Sequence, residues 1–336
     1  MFFNNSGNGS GTLTAAEQRC CNEIVGLIES YKPVWVFQQQ NYDFVKRVYK
    51  AVLRDHPEYF WLSNGSSSTT TTRGSSITLE FKPNFVCALS GVPAKRRQLE
   101  SIVAGYIRDA NRSSSGLYEQ ILYLHDRIVK DVDYVEIEPH CYDAYGCLVQ
   151  RRAVCAGYAA AFQVLMQKIG VECGRVAGRS SSARTGEVDH EWNYIKLSDG
   201  YYFVDVTWDD PRVTNGAGGD NLSHDFFCLD LQELLRTHVI AAGQFIPQNF
   251  GKRFDYFKYR GWYLDRYSFQ QASAIAAQQL RYSKKFYLKF KTRASAEQAK
   301  RDLIDAHKAY TIPGFGSNAL RYSVSRSGLI LMIEPN

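Results

Sequence analysis

Ala153-Val154-Cys155-Ala156-Gly157-Tyr158-Ala159 places a cysteine at the point where an apolar helix begins. Downstream, Tyr158, Ala161, Phe162, Leu165, Met166 and Ile169 recur at helical spacing, and Gly170 supplies a C-terminal cap. A helix N-terminus carries unpaired N–H groups and partial positive charge, so it favours a thiolate and can receive an oxyanion. Three strands are predicted next, over 172–177, 191–197 and 201–206. The last two flank Ser198-Asp199-Gly200, a hairpin signal. Residues 179–189, between the first two strands, read as a polar loop. His190 opens the second strand in His190-Glu191-Trp192-Asn193. Asp205 closes the third in Val204-Asp205-Val206-Thr207-Trp208-Asp209-Asp210-Pro211.

Strand geometry relates these residues. If residues 197–200 form the hairpin loop, Lys196 pairs with Tyr201 and Trp192 faces Asp205. His190 is then the diagonal neighbour of Asp205 on one face, roughly 7–8 Å away between backbones. If only residues 199–200 form the loop, the faces persist, but Asp205 lies further along and a bulge is needed. A cysteine on a helix start, a histidine and an orienting carboxylate are the parts of an activated thiol nucleophile.

These blocks, together with Ala144-Tyr145-Gly146-Cys147-Leu148-Val149 just upstream, resemble the bacterial transglutaminase-like superfamily over about residues 144–211. Weaker likeness extends to 226–230 and His238, and to 56–62. The resemblance implies an α+β fold with a papain-like core, in which the helix bearing the nucleophile packs on an antiparallel sheet. It implies Cys155 as nucleophile, His190 as general base and acid, and Asp205 as orienter. Glu191 and Cys147 depart from positions where the family commonly has alanine; neither is a triad position. The implied activity is acyl transfer from a peptide or carboxamide through a thioester, with water as the expected acceptor (peptidase or amidase). Protein-glutamine transglutaminase or deamidase chemistry is one alternative. A catalytically inactive binding protein on the same fold is another.

Outward from this core, the N-terminal part reads as mostly helical. Residues 1–12 are rich in Asn, Gly and Ser and are expected to be unstructured. Thr14 with Glu17 makes a capping box for a helix to about Ser30. Further helices are predicted over 42–54, 94–110 and 116–130, and residues 63–76 read as a mobile Ser/Thr/Gly loop. The polar break at 111–115 suggests three domains: an α-rich 1–112, a catalytic core 113–242, and a C-terminal 243–336. Within the last, a strand–helix–strand–strand order gives a small β-α-β-β module. Its aromatic lead-in, 254–267, reads as packing rather than as a base-stacking surface.

The 336 residues are 45% hydrophobic and 22% charged, which excludes disorder for most of the chain. None of the eight cysteines forms a C-x-x-C pair, so structural zinc is not expected. Asp205, Asp209 and Asp210 raise the question of calcium, but a strand-ending turn accounts for them better. No cofactor and no metal are expected. The lack of a secretory leader or spanning segment suggests a cytoplasmic protein without membrane contact. The partners expected are a protein or peptide substrate, with nucleic acid disfavoured. The net charge of +6 concentrates in 281–301, where eight Lys and Arg face a lone Glu297. Lys285, Tyr287, Lys289 and Lys291 alternate with Phe286, Leu288 and Phe290, which predicts a solvated basic face open to an acidic partner.

Overall fold

The computed structural model describes residues 14–182, 186–210 and 222–336. The expectation for residues 1–12 therefore lies outside the described residues, as does Pro211. Helix α1 (Ala15–Glu29) starts as its capping box requires. The Thr14 hydroxyl accepts the Glu17 N–H at 3.2 Å, and the Glu17 carboxylate accepts the Thr14 N–H at 3.0 Å. Strand β1 (Trp35–Gln38) follows, then α2 (Tyr42–Asp55), capped by Asn41 and stopped ahead of Pro57.

Residues 63–76 are not a loop. They form β2 (Leu62–Arg73), paired antiparallel with β3 (Ser76–Phe85), with β1 on the far edge in the order β1-β3-β2. The run Thr69-Thr70-Thr71-Thr72 is β-branched and suits a pleated strand. Both faces of β2 are polar there, so composition mimics a loop. The N-terminal part is thus mixed rather than mostly helical. Trp35 stacks on Phe81 at 5.6 Å, and Tyr49 of α2 meets Phe81 edge-on, which seats this sheet on the helix.

Helices α3 (Val92–Ser113) and α4 (Leu117–Asp131) follow, joined through Tyr106 hydroxyl to Asp131 at 2.8 Å. One buried cluster runs from Cys20 to Cys228 and includes α1 to α4. The expected boundary at 112/113 falls between helices that share this core.

The short strands β4 (Asp133–Tyr134) and β5 (Arg152–Ala153) pair parallel and lead into α5 (Cys155–Lys168), which is buried all round from Gly157 to Gln167. Helix α5 packs against β6 (Cys173–Ser182) and β7 (Gly186–Leu197) of a five-stranded antiparallel sheet. The sheet continues with β8 (Gly200–Val204), β9 (Phe227–Leu229) and β10 (His238–Ile240), in the order β10-β6-β7-β8-β9. Lys196 pairs with Tyr201 and Leu197 with Gly200, so the first of the two registers is the one adopted. The expected loop at 179–189 is largely strand. Arg179 pairs with Asp189 and Ser180 with Val188, leaving only 183–185 outside the described residues. Strands with no one-sided apolar pattern give no period-2 signal.

The C-terminal part holds β11 (Tyr263–Leu264), α6 (Phe269–Leu280), β12 (Phe286–Phe290), α7 (Arg293–Lys300), β13 (Leu320–Val324) and β14 (Ile330–Pro335). Its sheet order is β11-β12-β14-β13 over a separate core that includes Leu264, Phe286, Leu288 and Phe290. Among the described residues no helix is long and apolar enough to cross a membrane.

One expectation for β12 is corrected. Lys289 does not face water: it is 2% exposed and pairs with Glu233 at 2.7 Å and with Asp255. Alternation correctly separates the two faces of β12, but the second face packs on the preceding segment, with Tyr287 parallel to Trp262. Burial would push the Lys289 amine down, yet the two carboxylates outweigh it and hold the amine above its usual range. Lys289→Met should therefore cost about 3–5 kcal/mol, since the buried Asp255 and the partly buried Glu233 lose their cation. Urea titration measures this. Adding Glu233→Gln and Asp255→Asn should recover most of it. A single-variant cost under about 1 kcal/mol, typical of exposed pairs, would contradict the burial argument.

Candidate active site

Cys155 is fixed by the chain that precedes it. The Asp133 N–H donates to Arg151 O at 2.9 Å, Val135 N–H to Ala153 O at 3.0 Å, and Val154 N–H to Cys141 O at 2.9 Å. Gly157, in the first turn of α5, has no room for a side chain. A Cβ there would lie 2.7 Å from both the Cys141 carbonyl oxygen and the Ala153 methyl. This close approach pins the start of α5 and holds Cys155 half-buried at its first position. Tyr134 lies near Cys155, and partial loss of water around its hydroxyl pushes the phenol up to about 12.

The hairpin register brings His190 and Asp205 together. His190 Nε2 lies 2.6 Å from Asp205 Oδ2, and both side chains are buried. An ionised carboxylate only accepts, so Nε2 carries the proton and Nδ1 is the ring nitrogen left for the Cys155 thiol, which is near enough to raise the proton affinity of His190. Burial alone would push the His190 imidazole down, but the Asp205 charge and hydrogen bond outweigh it and raise it above its usual range. Burial would likewise raise the Asp205 carboxyl, but His190 and a second histidine hold it well below. The structure thus brings Cys155, His190 and Asp205 into one chain of contacts.

The second histidine, His238, carried only a weak family likeness. Its Nε2 lies 3.0 Å from the same Asp205 Oδ2, and its Nδ1 lies 2.9 Å from Thr237 Oγ1. His238 sits on β10 and Asp205 just beyond β8, three strand spacings apart, or roughly 14 Å along a flat sheet. They meet because the sheet curls. Gly178 permits the approach: opposite His190 on β6, a Cβ there would collide with the Val239 carbonyl and lie 2.9 Å from the Trp192 ring. Beyond that weak likeness, nothing in a three-residue strand remote from the motif marks His238; the fold reveals its contact with Asp205.

Asp209 and Asp210 behave as turn residues. Asp205 Oδ1 accepts Trp208 N–H at 3.0 Å, Asp209 Oδ1 accepts Phe226 N–H at 3.0 Å, and the Tyr158 hydroxyl lies 3.0 Å from Asp210 Oδ2. Three carboxylates committed to separate protein donors do not converge on a calcium ion. Trp192 and Tyr158 are buried packing residues rather than a substrate wall. His140 is bound to Asp143 at 2.8 Å, and Cys141 and Cys147 are buried in packing.

Among the described residues, two groups bring nitrogen and oxygen atoms within metal-ligating reach of one another: His190, Asp205 and His238, and His125, Asp126 and His224. Within them the imidazole–carboxylate spacings are 2.6–3.0 Å. Two ligands of a tetrahedral zinc stand about 3.4 Å apart, so these contacts are better described as hydrogen bonds. A groove of about 620 Å³ is lined by Ala156 and Glu191, the chain neighbours of Cys155 and His190, and by Asn64 and Asn84 of the first hairpin.

Residues 104–206 match the family model of the transglutaminase-like superfamily. The kyphoscoliosis peptidase of Mus musculus is 25% identical over 118 residues, which are 33% of this chain and 18% of that protein. The chain therefore spans less than a fifth of that relative's length. Two solved structures are similar at low scores. A crystal structure of a TGase has TM-score 0.30 at 10% identity, covering 42% of this chain and 44% of the other. The periplasmic domain of TgpA from Pseudomonas aeruginosa has TM-score 0.28 at 16% identity, covering 42% and 58%. The chain carries a transglutaminase-like domain, with mixed helix and sheet.

The buried His125 links Asp126 and Asp209 at 3.0 and 3.1 Å beneath this site. Burial lowers its affinity for a proton, but both carboxylates raise it further, from 6.5 to about 9. A raised folded-state value stabilises fully below 6.5 and is lost as pH rises through about 9. Wild type should therefore melt above His125→Gln at mildly acidic pH and lose that advantage across this window. Melting curves whose separation is constant over it would contradict the linkage.

Proposed function

We propose that the chain is a cysteine-nucleophile acyl-transfer enzyme that cleaves peptide or carboxamide bonds through a thioester, with Cys155 as nucleophile, His190 as base and acid, and Asp205 as orienter. The observation that supports this best is the 2.6 Å contact of His190 Nε2 with Asp205, which leaves Nδ1 for the thiol at the start of α5. Nδ1 takes the Cys155 proton as sulfur attacks the carbonyl carbon. The resulting oxyanion forms beside the Cys155 N–H, where the helix start provides positive potential. The imidazolium then protonates the leaving amine as the C–N bond breaks, and a thioester remains. Water, deprotonated by His190, attacks the thioester, releases the acid and restores the thiol. An amine in place of water would make the same intermediate a transferase product. The exposed cations Arg281, Lys284, Lys291, Arg293 and Arg301 offer an acidic protein a docking face apart from this chemistry.

Cys155→Ala should retain the fold by circular dichroism and lower turnover of a peptide library by at least about 1,000-fold. Running the library with and without an added amine separates hydrolysis from transfer. Iodoacetamide should label Cys155 ahead of the other seven cysteines, five of which are buried. Undiminished turnover by Cys155→Ala would remove the assignment.

A further inference from the structure

Asp205 is served by an unusual number of donors for one buried carboxylate. Oδ1 takes the Trp208 N–H at 3.0 Å, while Oδ2 takes His190 at 2.6 Å and His238 at 3.0 Å. We propose that His238 is a positioning residue of this site, which donates its Nε2–H to the oxygen that His190 uses and so sets both the orientation of Asp205 and its hold on the His190 proton. The proposal rests on the triad reading above and extends it to a fourth side chain.

The protonation pattern follows from the bonds. Asp205 accepts only, so Nε2 of each histidine carries hydrogen. Burial, the larger influence on His238, outweighs its bond to Asp205 and lowers it, so it stays neutral. A neutral Nε2–H imidazole has an accepting Nδ1, and the Thr237 hydroxyl, 2.9 Å from Nδ1 and 3.3 Å from the Leu234 carbonyl oxygen, meets it when its single proton turns toward the ring.

A neutral donor on Oδ2 shares the carboxylate charge that would otherwise act on His190 alone. The charged or titratable groups around this pair are Cys155 from α5, Tyr134 from β4, His238 from β10, and Arg326 from the β13–β14 turn. Arg326, which lies 4.4 Å from the Trp208 ring centroid, also draws on Asp205. Of these, only His238 is hydrogen-bonded to Oδ2 beside His190. Removing it concentrates the negative charge on the His190 bond and strengthens retention of that proton.

The test uses full-length protein labelled at histidine Cε1 and titrated by NMR, with the His190 signal assigned by its loss in His190→Gln. In His238→Phe the His190 midpoint should rise by about one pH unit. In His238→Gln, whose amide still donates from a similar position, it should return to within a few tenths of wild type. The basic limb of kcat/KM for a cleaved peptide should move in the same way. An unchanged or lowered midpoint in His238→Phe overturns the proposal, and so does an equal rise in both variants. If His238→Phe fails to fold, wild-type nitrogen shifts decide: His238 must remain the neutral Nε2–H form at neutral pH, and an imidazolium there refutes it. Failure of the triad reading would instead appear as turnover that survives Cys155→Ala, while the His190 midpoint still reports on His238.

Discussion

A single negative charge taken out of water, that of Asp205, organises the middle of this protein. A buried carboxylate is tolerated only when its lone pairs are used, and every donor to it fixes a different piece of chain. Trp208 N–H fixes the turn after β8, His190 fixes β7, and His238 fixes β10. The curl of the sheet, the missing side chain at Gly178 and the burial of Trp192 all serve to bring those donors to one point. The electrostatics of the candidate site and the shape of the sheet are therefore one problem with one solution.

A second layer of charge lies just beneath. Asp209, four residues beyond Asp205, turns away from it and takes His125 and the Phe226 N–H. The turn thus separates carboxylates that are near one another along the chain: Asp205 meets His190 and His238, and Asp209 meets His125. Mutual repulsion that three acids would feel in one pocket is avoided by pointing them at different elements.

Much of this geometry is legible in the chain itself. The helix beginning at Cys155 follows from apolar spacing, and the Ser198-Asp199-Gly200 signal places the hairpin and limits it to two registers, of which the structure adopts the one that pairs Lys196 with Tyr201. What stayed hidden has a physical pattern. The Ser/Thr strand β2 and the outer ends of β6 and β7 have polar side chains on both faces, so neither period nor composition distinguishes them from loops. Lys289 shows the complementary difficulty: alternation identifies a second face but not whether water or protein covers it. His238 depends on a contact between strands far apart in the chain, which no local signal carries.

The hairpin turn has a consequence for what counts as a unit. Asp199, at the turn that sets the register of His190 and Asp205, accepts the Tyr202 hydroxyl and the N–H groups of Lys252 and Arg253. Phe226, whose carbonyl accepts the Asp205 N–H, and His238 also lie beyond residue 206, where the family match ends. A fragment cut at that point would contain all three proposed reacting side chains and almost none of what holds the third in place. The hydrogen bonds that close around Asp205 and the hairpin thus run past the family match to Arg253, so the extent of that match does not mark where this region's own contacts end.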